Sequence, residues 1–230
     1  MTATGRRTLA IVAGAIVAYL VVSGRLLSRD NLLFLAVIVP SVILHEVSHG
    51  AVANLFGDDT AKRAGRLTLN PVRHVDPFGT IILPTMLVLA GATPFGYAKP
   101  VPVNPGRLRR PRDQGLLVSL AGPATNLILV GVATIVLRVA RPQGTAGEVV
   151  FLLGEANLLL GLFNLLPLPP LDGSAVVERL LPARWWPQWM KFRQHAMAIL
   201  FLLLLVAPAR YSFGRLFTPV LRFWVRHFLG

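Results

Sequence analysis

Residues 31–56 form an almost wholly apolar run, long enough to cross a bilayer, and it carries His45-Glu46-Val47-Ser48-His49. About 20 consecutive apolar residues span the hydrocarbon as a helix, because only then are the backbone groups satisfied within the segment. A charged side chain at that depth costs roughly 2.5–3.5 kcal/mol, so such residues face a cavity or one another. On a helix, positions 45 and 49 lie one turn apart on one face, with Glu46 beside them. Two imidazoles able to bind one metal, next to a carboxylate able to move protons, are the parts of a zinc hydrolase site. The alternative is a pair of core histidines satisfied by hydrogen bonds, and no partner for them is obvious nearby in the sequence.

The motif is incomplete, since a catalytic zinc normally has three protein ligands. A metzincin extension needs Gly at 52 and His at 55, where this chain has Val52 and Leu55. The chain has no cysteine, so a thiolate site is excluded and any metal is held by His and carboxylate. No Glu occurs between Glu46 and Glu148, so the third ligand comes from far along the chain.

With 54 % hydrophobic and 14 % charged residues, the 230-residue chain reads as one integral membrane domain, 1–230. Its core is 31–173 and its C-terminal helices fall in 194–230. The expected fold is an all-α polytopic membrane protein with about six transmembrane helices, a re-entrant segment and a short cytoplasmic β element. The net charge of +13 does not point to nucleic acid, because the bases lie in short connections between apolar runs. Most of the 23 Lys and Arg fall in 6–7, 57–77, 99–112 and 174–193. That bias places these connections in the cytoplasm, with the active site toward that side of the cell membrane.

In chain order, residues 8–24 read as a retained first span rather than a cleaved signal. Residues 57–77 are polar and turn-rich, with Arg66–Leu69 expected as a short strand. Residues 78–91 are too short to span and contain Pro84, which fits a re-entrant segment. The proline-rich stretch from Gly96 to Pro105 reads as extended chain. Spans follow at 114–138, containing Asn126, and at 149–166, containing Glu155 and Asn157. The second ends where Pro167, Pro169 and Pro170 break the helix before Asp172. A strongly apolar run at 196–208 precedes the tail 211–229, which either spans or lies in the interface.

The 149–166 helix is expected to run in the same direction as the His45–His49 helix, which brings Asp172 level with His49 as third ligand. Capping of the following segment is the competing role for Asp172. Glu155 lies about 25 Å from that end if helical, too near the opposite face. His74 and Asp76 stand in a polar loop near the site, ordering that loop or supporting the ligands. Asn126 and Asn164 are candidates to bind a substrate carbonyl or oxyanion, or to hold helices together. His195 and His227, at membrane edges, are assigned no chemistry.

The ordered set His45-Glu46-x-x-His49, Asn70-Pro71-x-x-His74-x-Asp76-Pro77-x-Gly79-Thr80, Gly122-Pro123-x-x-Asn126 and Asn164-x-x-Pro167-x-Pro169-x-Leu171-Asp172-Gly173 resembles the site-2 protease family of intramembrane zinc metalloproteases, peptidase M50 type. The resemblance implies one Zn2+ per chain on His45, His49 and Asp172, with Glu46 as catalytic acid/base. It implies proteolysis of transmembrane protein substrates in the lipid bilayer. The chain looks like a small form, without a PDZ or CBS domain. The rival readings are a metal-binding membrane transporter and a catalytically inactive membrane scaffold. A di-iron histidine-box oxidase is set aside because five histidines, two of them remote, are too few.

Overall fold

In the computed structural model the described residues are Gly14, 28–82, 97–206 and 213–230. The expected span at 8–24, most of the re-entrant segment and the junction 207–212 lie outside them. Three long helices form the frame: α1 (Arg29–Leu55), α2 (Pro111–Val139) and α3 (Gly144–Asn164). At 1.5 Å per residue their 27, 29 and 21 residues exceed the ~30 Å of bilayer hydrocarbon. A third or less of each apolar window is buried inside the protein, so side chains such as Phe34, Ile128 and Ile135 face outward. This is a bundle packed for lipid, and the chain is a membrane protein.

Local signals set the helix ends. The Ser28 hydroxyl accepts from the Asn31 amide at the start of α1, where Asp30 complements the helix dipole. Pro111 opens α2, a position where a missing N–H costs nothing. α1 packs against both α2 and α3, and α2 against α3. Arg29, at the N-terminus of α1, pairs with Glu148 in the first turns of α3 at 2.5 Å. The two helices therefore start at the same end of the bundle and run parallel, with α2 antiparallel between them.

α3 ends at Asn164, and the proline-rich turn that follows folds back so that the Gly173 amide donates to the Asn164 carbonyl at 2.7 Å. α4 (Ser174–Leu180) then packs against the start of α2, where Arg179 reaches Asp113 at 2.6 Å. α5 (Trp186–Val206) begins beside it, with the Trp189 indole donating to Glu178 at 3.0 Å. α6 (Phe213–Trp224), continued by a wide turn Val225–Leu229, lies along α3. Trp224 fills the space left by Gly154, packs at a tilt against Phe151 and donates to the Thr134 hydroxyl at 2.8 Å.

One fold expectation changes: among the described residues no strand is present. Three helices among them are long and apolar enough to cross a membrane, half the number expected for the whole chain, and the expected span at 8–24 is not among the residues counted. The strand expected at Arg66–Leu69 is an irregular loop because side chains take the place of a ladder. The Thr68 carbonyl pairs with the His74 imidazole at 2.8 Å, the Asn70 amide donates to the Thr68 hydroxyl, and the Arg66 guanidinium donates to the Lys99 carbonyl at 2.6 Å. The run at 196–208 is helical as far as Val206.

Candidate metal centre

The 3.6-residue period of α1 puts His45 and His49 on the face that meets α2, and both imidazoles are buried. Their approach depends on Gly122 of α2. A methyl group there would stand 2.5 Å from His45 Cε1 and from His49 Nε2, so only hydrogen fits. The rings meet edge to face with 3.2 Å between their Nε2 atoms.

Each ring is held from behind. The Nδ1–H of His49 donates to the Val118 carbonyl at 2.7 Å, and the Nδ1–H of His45 donates to Asn126 Oδ1 at 2.6 Å. With the protons on Nδ1, both Nε2 atoms carry bare lone pairs, the form in which imidazole binds metal. Asp172 enters from the turn after α3. Its Oδ2 lies 3.1 Å from His45 Nε2 and 3.4 Å from His49 Nε2, and it is buried without accepting a hydrogen bond. Three lone-pair atoms facing one another at these distances repel unless a cation lies among them, so this donor set fits a metal ion. Two nitrogens and one carboxylate oxygen with no sulfur are a ligand set that suits zinc. The capping role for Asp172 does not occur, since Gly173 caps α4 and no side chain bonds to its first amides.

Glu46, one position round the helix, lies within electrostatic reach of His49. Its Oε2 accepts from the Val101 amide at 2.9 Å. Val101 belongs to the extended stretch 97–104, which has no regular structure, as expected. Three further amides tie that stretch in place. Tyr97 donates to the Gly79 carbonyl at 3.0 Å, Lys99 to the His74 carbonyl at 2.8 Å, and Asn104 to Asp58 Oδ2 at 2.5 Å.

Asp58 is fully buried just beyond α1. Burial pushes its carboxyl up. The Thr60 hydroxyl, the Asn104 and Thr60 amides and the nearby Arg107 outweigh that and hold it below the usual aspartate range.

The remaining candidates divide. His74 does not reach the metal-binding group. Buried against Thr68, it clamps the loop that seats Lys99. Asp76 turns the chain by accepting from the Phe78 and Gly79 amides. Asn126 holds His45 with its oxygen and spends its donor group on Asn157 Oδ1 at 2.7 Å, and Asn164 donates to the Leu160 carbonyl of its own helix at 3.0 Å. Glu155 is half-buried on α3 and no part of the cluster. His195 and His227 bond back to their own helices. Sequence reasoning missed Gly122, Val118, Val101 and Asn157 as parts of the site. Only the burial expected of an asparagine in an apolar span marked the last.

Comparison with known proteins agrees with this geometry. The model of peptidase family M50 matches residues 33–143 and 139–207. The chain is 43 % identical over 180 residues to "Putative zinc metalloprotease YwhC" of Bacillus subtilis (strain 168), covering 74 % of this chain and 78 % of that protein. It is 34 % identical over 161 residues to the similarly named Rip2 of Mycolicibacterium smegmatis, covering 64 % of this chain and 60 % of the relative. With MJ0611 of Methanocaldococcus jannaschii, identity is 30 % over 140 residues, 59 % of this chain and 64 % of the relative. The chain thus spans most of YwhC but less than two thirds of the other two. No solved structure matches. With the family model covering most of its length and a relative this similar across three quarters of it, the chain belongs to peptidase family M50.

Proposed function

We propose that this protein hydrolyses peptide bonds in or next to transmembrane helices of membrane-protein substrates, using one zinc ion per chain. It is a zinc metalloprotease, as its family and the names of its relatives indicate. The observation that carries the intramembrane reading is the convergence of His45 Nε2, His49 Nε2 and Asp172 Oδ2, with two of the three residues inside a helix of spanning length. His45, His49 and Asp172 would hold the metal. Zinc supplies a Lewis acid that polarises a scissile carbonyl and lowers the pKa of water toward about 7.

The chain's own residues do the rest. Glu46 takes a proton from the attacking water at its carboxylate and returns it to the leaving amine. The Val101 amide fixes one Glu46 oxygen and leaves the other for that exchange. The outer shell of carbonyl and amide acceptors holds both imidazoles in the ligating form and excludes water from behind them. The basic connections at 57–77 and 99–112 support a multi-pass arrangement in the cell membrane with the site toward the cytoplasm. The expected partners are transmembrane protein substrates and the bilayer, with no nucleic acid.

The test is co-expression with candidate single-span proteins, comparing the native chain with Glu46→Gln. Proteolysis predicts fragments from the native chain alone and full metal content in both. A transporter would show metal flux and no fragments. An inactive scaffold would retain the partner without cutting it.

A further inference from the structure

Asn157 is fully buried on α3, and its hydrogen bonds go to neither a histidine nor Asp172. Every hydrogen-bonding atom of its side chain is engaged. Nδ2 donates to the Leu153 carbonyl at 2.8 Å and to Ser41 Oγ at 2.9 Å, and Oδ1 accepts from Asn126 Nδ2 at 2.7 Å. Ser41 in turn donates to the Val37 carbonyl at 2.8 Å.

The direction of this chain is set at its far end, because backbone carbonyls only accept. The Leu153 carbonyl obliges Asn157 to turn Nδ2 that way, and Ser41, its own proton committed to Val37, accepts the second one. Asn157 Oδ1 then faces Asn126, which must present Nδ2 to it and Oδ1 to His45. The His45 ring answers with its proton on Nδ1, which leaves Nε2 bare beside Asp172. His49 reaches the same state through a single bond to the Val118 carbonyl.

We propose that Asn157 is a positioning residue for His45: anchored on the Leu153 carbonyl, it fixes the amide orientation of Asn126 and, through it, the imidazole tautomer that offers Nε2 to a metal. This inference rests on the reading of His45 as a zinc ligand. Without Asn157 the Asn126 amide can turn over and offer a donor to Nδ1. That arrangement favours the Nε2–H form, which must lose its proton before it can ligate. Loss of a hydrogen bond behind a ligating histidine typically costs 10–100-fold in metal affinity.

The experiment uses the full-length protein in detergent micelles, native and Asn157→Leu. Zinc affinity is measured by competition with a chelator, and the histidine tautomers of the metal-stripped protein by 15N NMR. The expected result is a roughly 10- to 100-fold loss of zinc affinity with a shift of His45 toward the Nε2–H form, His49 keeping its Nδ1–H form as internal reference. Ser41→Ala retains the Leu153 anchor and is expected to leave the His45 tautomer in place. Should Asn157→Leu fail to fold, Asn157→Thr satisfies itself on the Leu153 carbonyl but is too short for Asn126, and it is expected to show the same shift.

Native tautomer and native affinity in the folded variant would overturn the proposal, as would equal disturbance of both rings, which marks a packing role. A native protein that bound no zinc yet held His45 as Nδ1–H would defeat the proposed function while leaving the positioning role intact. Zinc binding indifferent to Asn157 would defeat the positioning role alone.

Discussion

The Val101 amide donates to the Glu46 carboxylate at 2.9 Å, tying the extended stretch 97–104 directly to the residue proposed to handle protons. Pro100 and Pro102 flank it, so Val101 holds the one free N–H among these three residues. Hydrogen bonds to a charged group are worth roughly 1.5–3 kcal/mol. Val101→Pro is therefore expected to lower substrate cleavage by about 10-fold or more with zinc content unchanged, while Val101→Ala, which keeps the N–H, loses far less. Equal rates for the two variants would remove the amide from the account.

Gly122 predicts a steric effect on the metal site. A methyl group there overlaps both imidazoles, and overpacking of this kind typically costs 1–3 kcal/mol. Gly122→Ala should weaken zinc binding roughly 10- to 100-fold in a chelator competition. Gly131→Ala, on the same helix with nothing within 4 Å of the added carbon, should bind as the native chain does. If the two alanines behave alike, the close approach of α2 does not shape the site.

Asp58 links the end of α1 to the amide of Asn104, and its carboxyl is held below the ordinary aspartate value. For a folded-state pKa lower than the unfolded one, the stabilisation is present above the unfolded pKa of about 3.9 and is lost as pH falls through the folded value. Protection of the Asn104 amide against hydrogen exchange, taken relative to its intrinsic rate at each pH, should accordingly be high at neutral pH and fall only below about pH 3.9. In Asp58→Asn exchange should be faster at neutral pH, with no such acid step. An unchanged acid step in the variant would show that another group holds the loop.

What the sequence made legible was local. The i, i+4 spacing of His45 and His49 is a property of one helix. The parallel course of α1 and α3, seen in the Arg29–Glu148 pair, follows from alternating spans, and it delivers Asp172 at the right depth. The contacts that orient the ligands were not legible because they depend on the rotation and depth of one helix against another. The motif Gly122-Pro123-x-x-Asn126 marks Gly122, but nothing in the string says that Gly122 meets both imidazoles or that the Val118 carbonyl meets His49. The strand expected at Arg66–Leu69 failed for a related reason. His74, brought in by the loop, takes the Thr68 carbonyl that a neighbouring strand would have used, and the Arg66 side chain turns to the Lys99 carbonyl.

The most direct test of the central claim is X-ray absorption at the zinc edge of the purified native protein beside Asp172→Asn. The native spectrum is expected to show one zinc per chain bound by two imidazole nitrogens at about 2.0–2.1 Å and a carboxylate oxygen at about 2.0–2.2 Å, with the oxygen or the metal lost in the variant. A native spectrum with fewer than two imidazoles, or one that Asp172→Asn leaves unchanged, would contradict it.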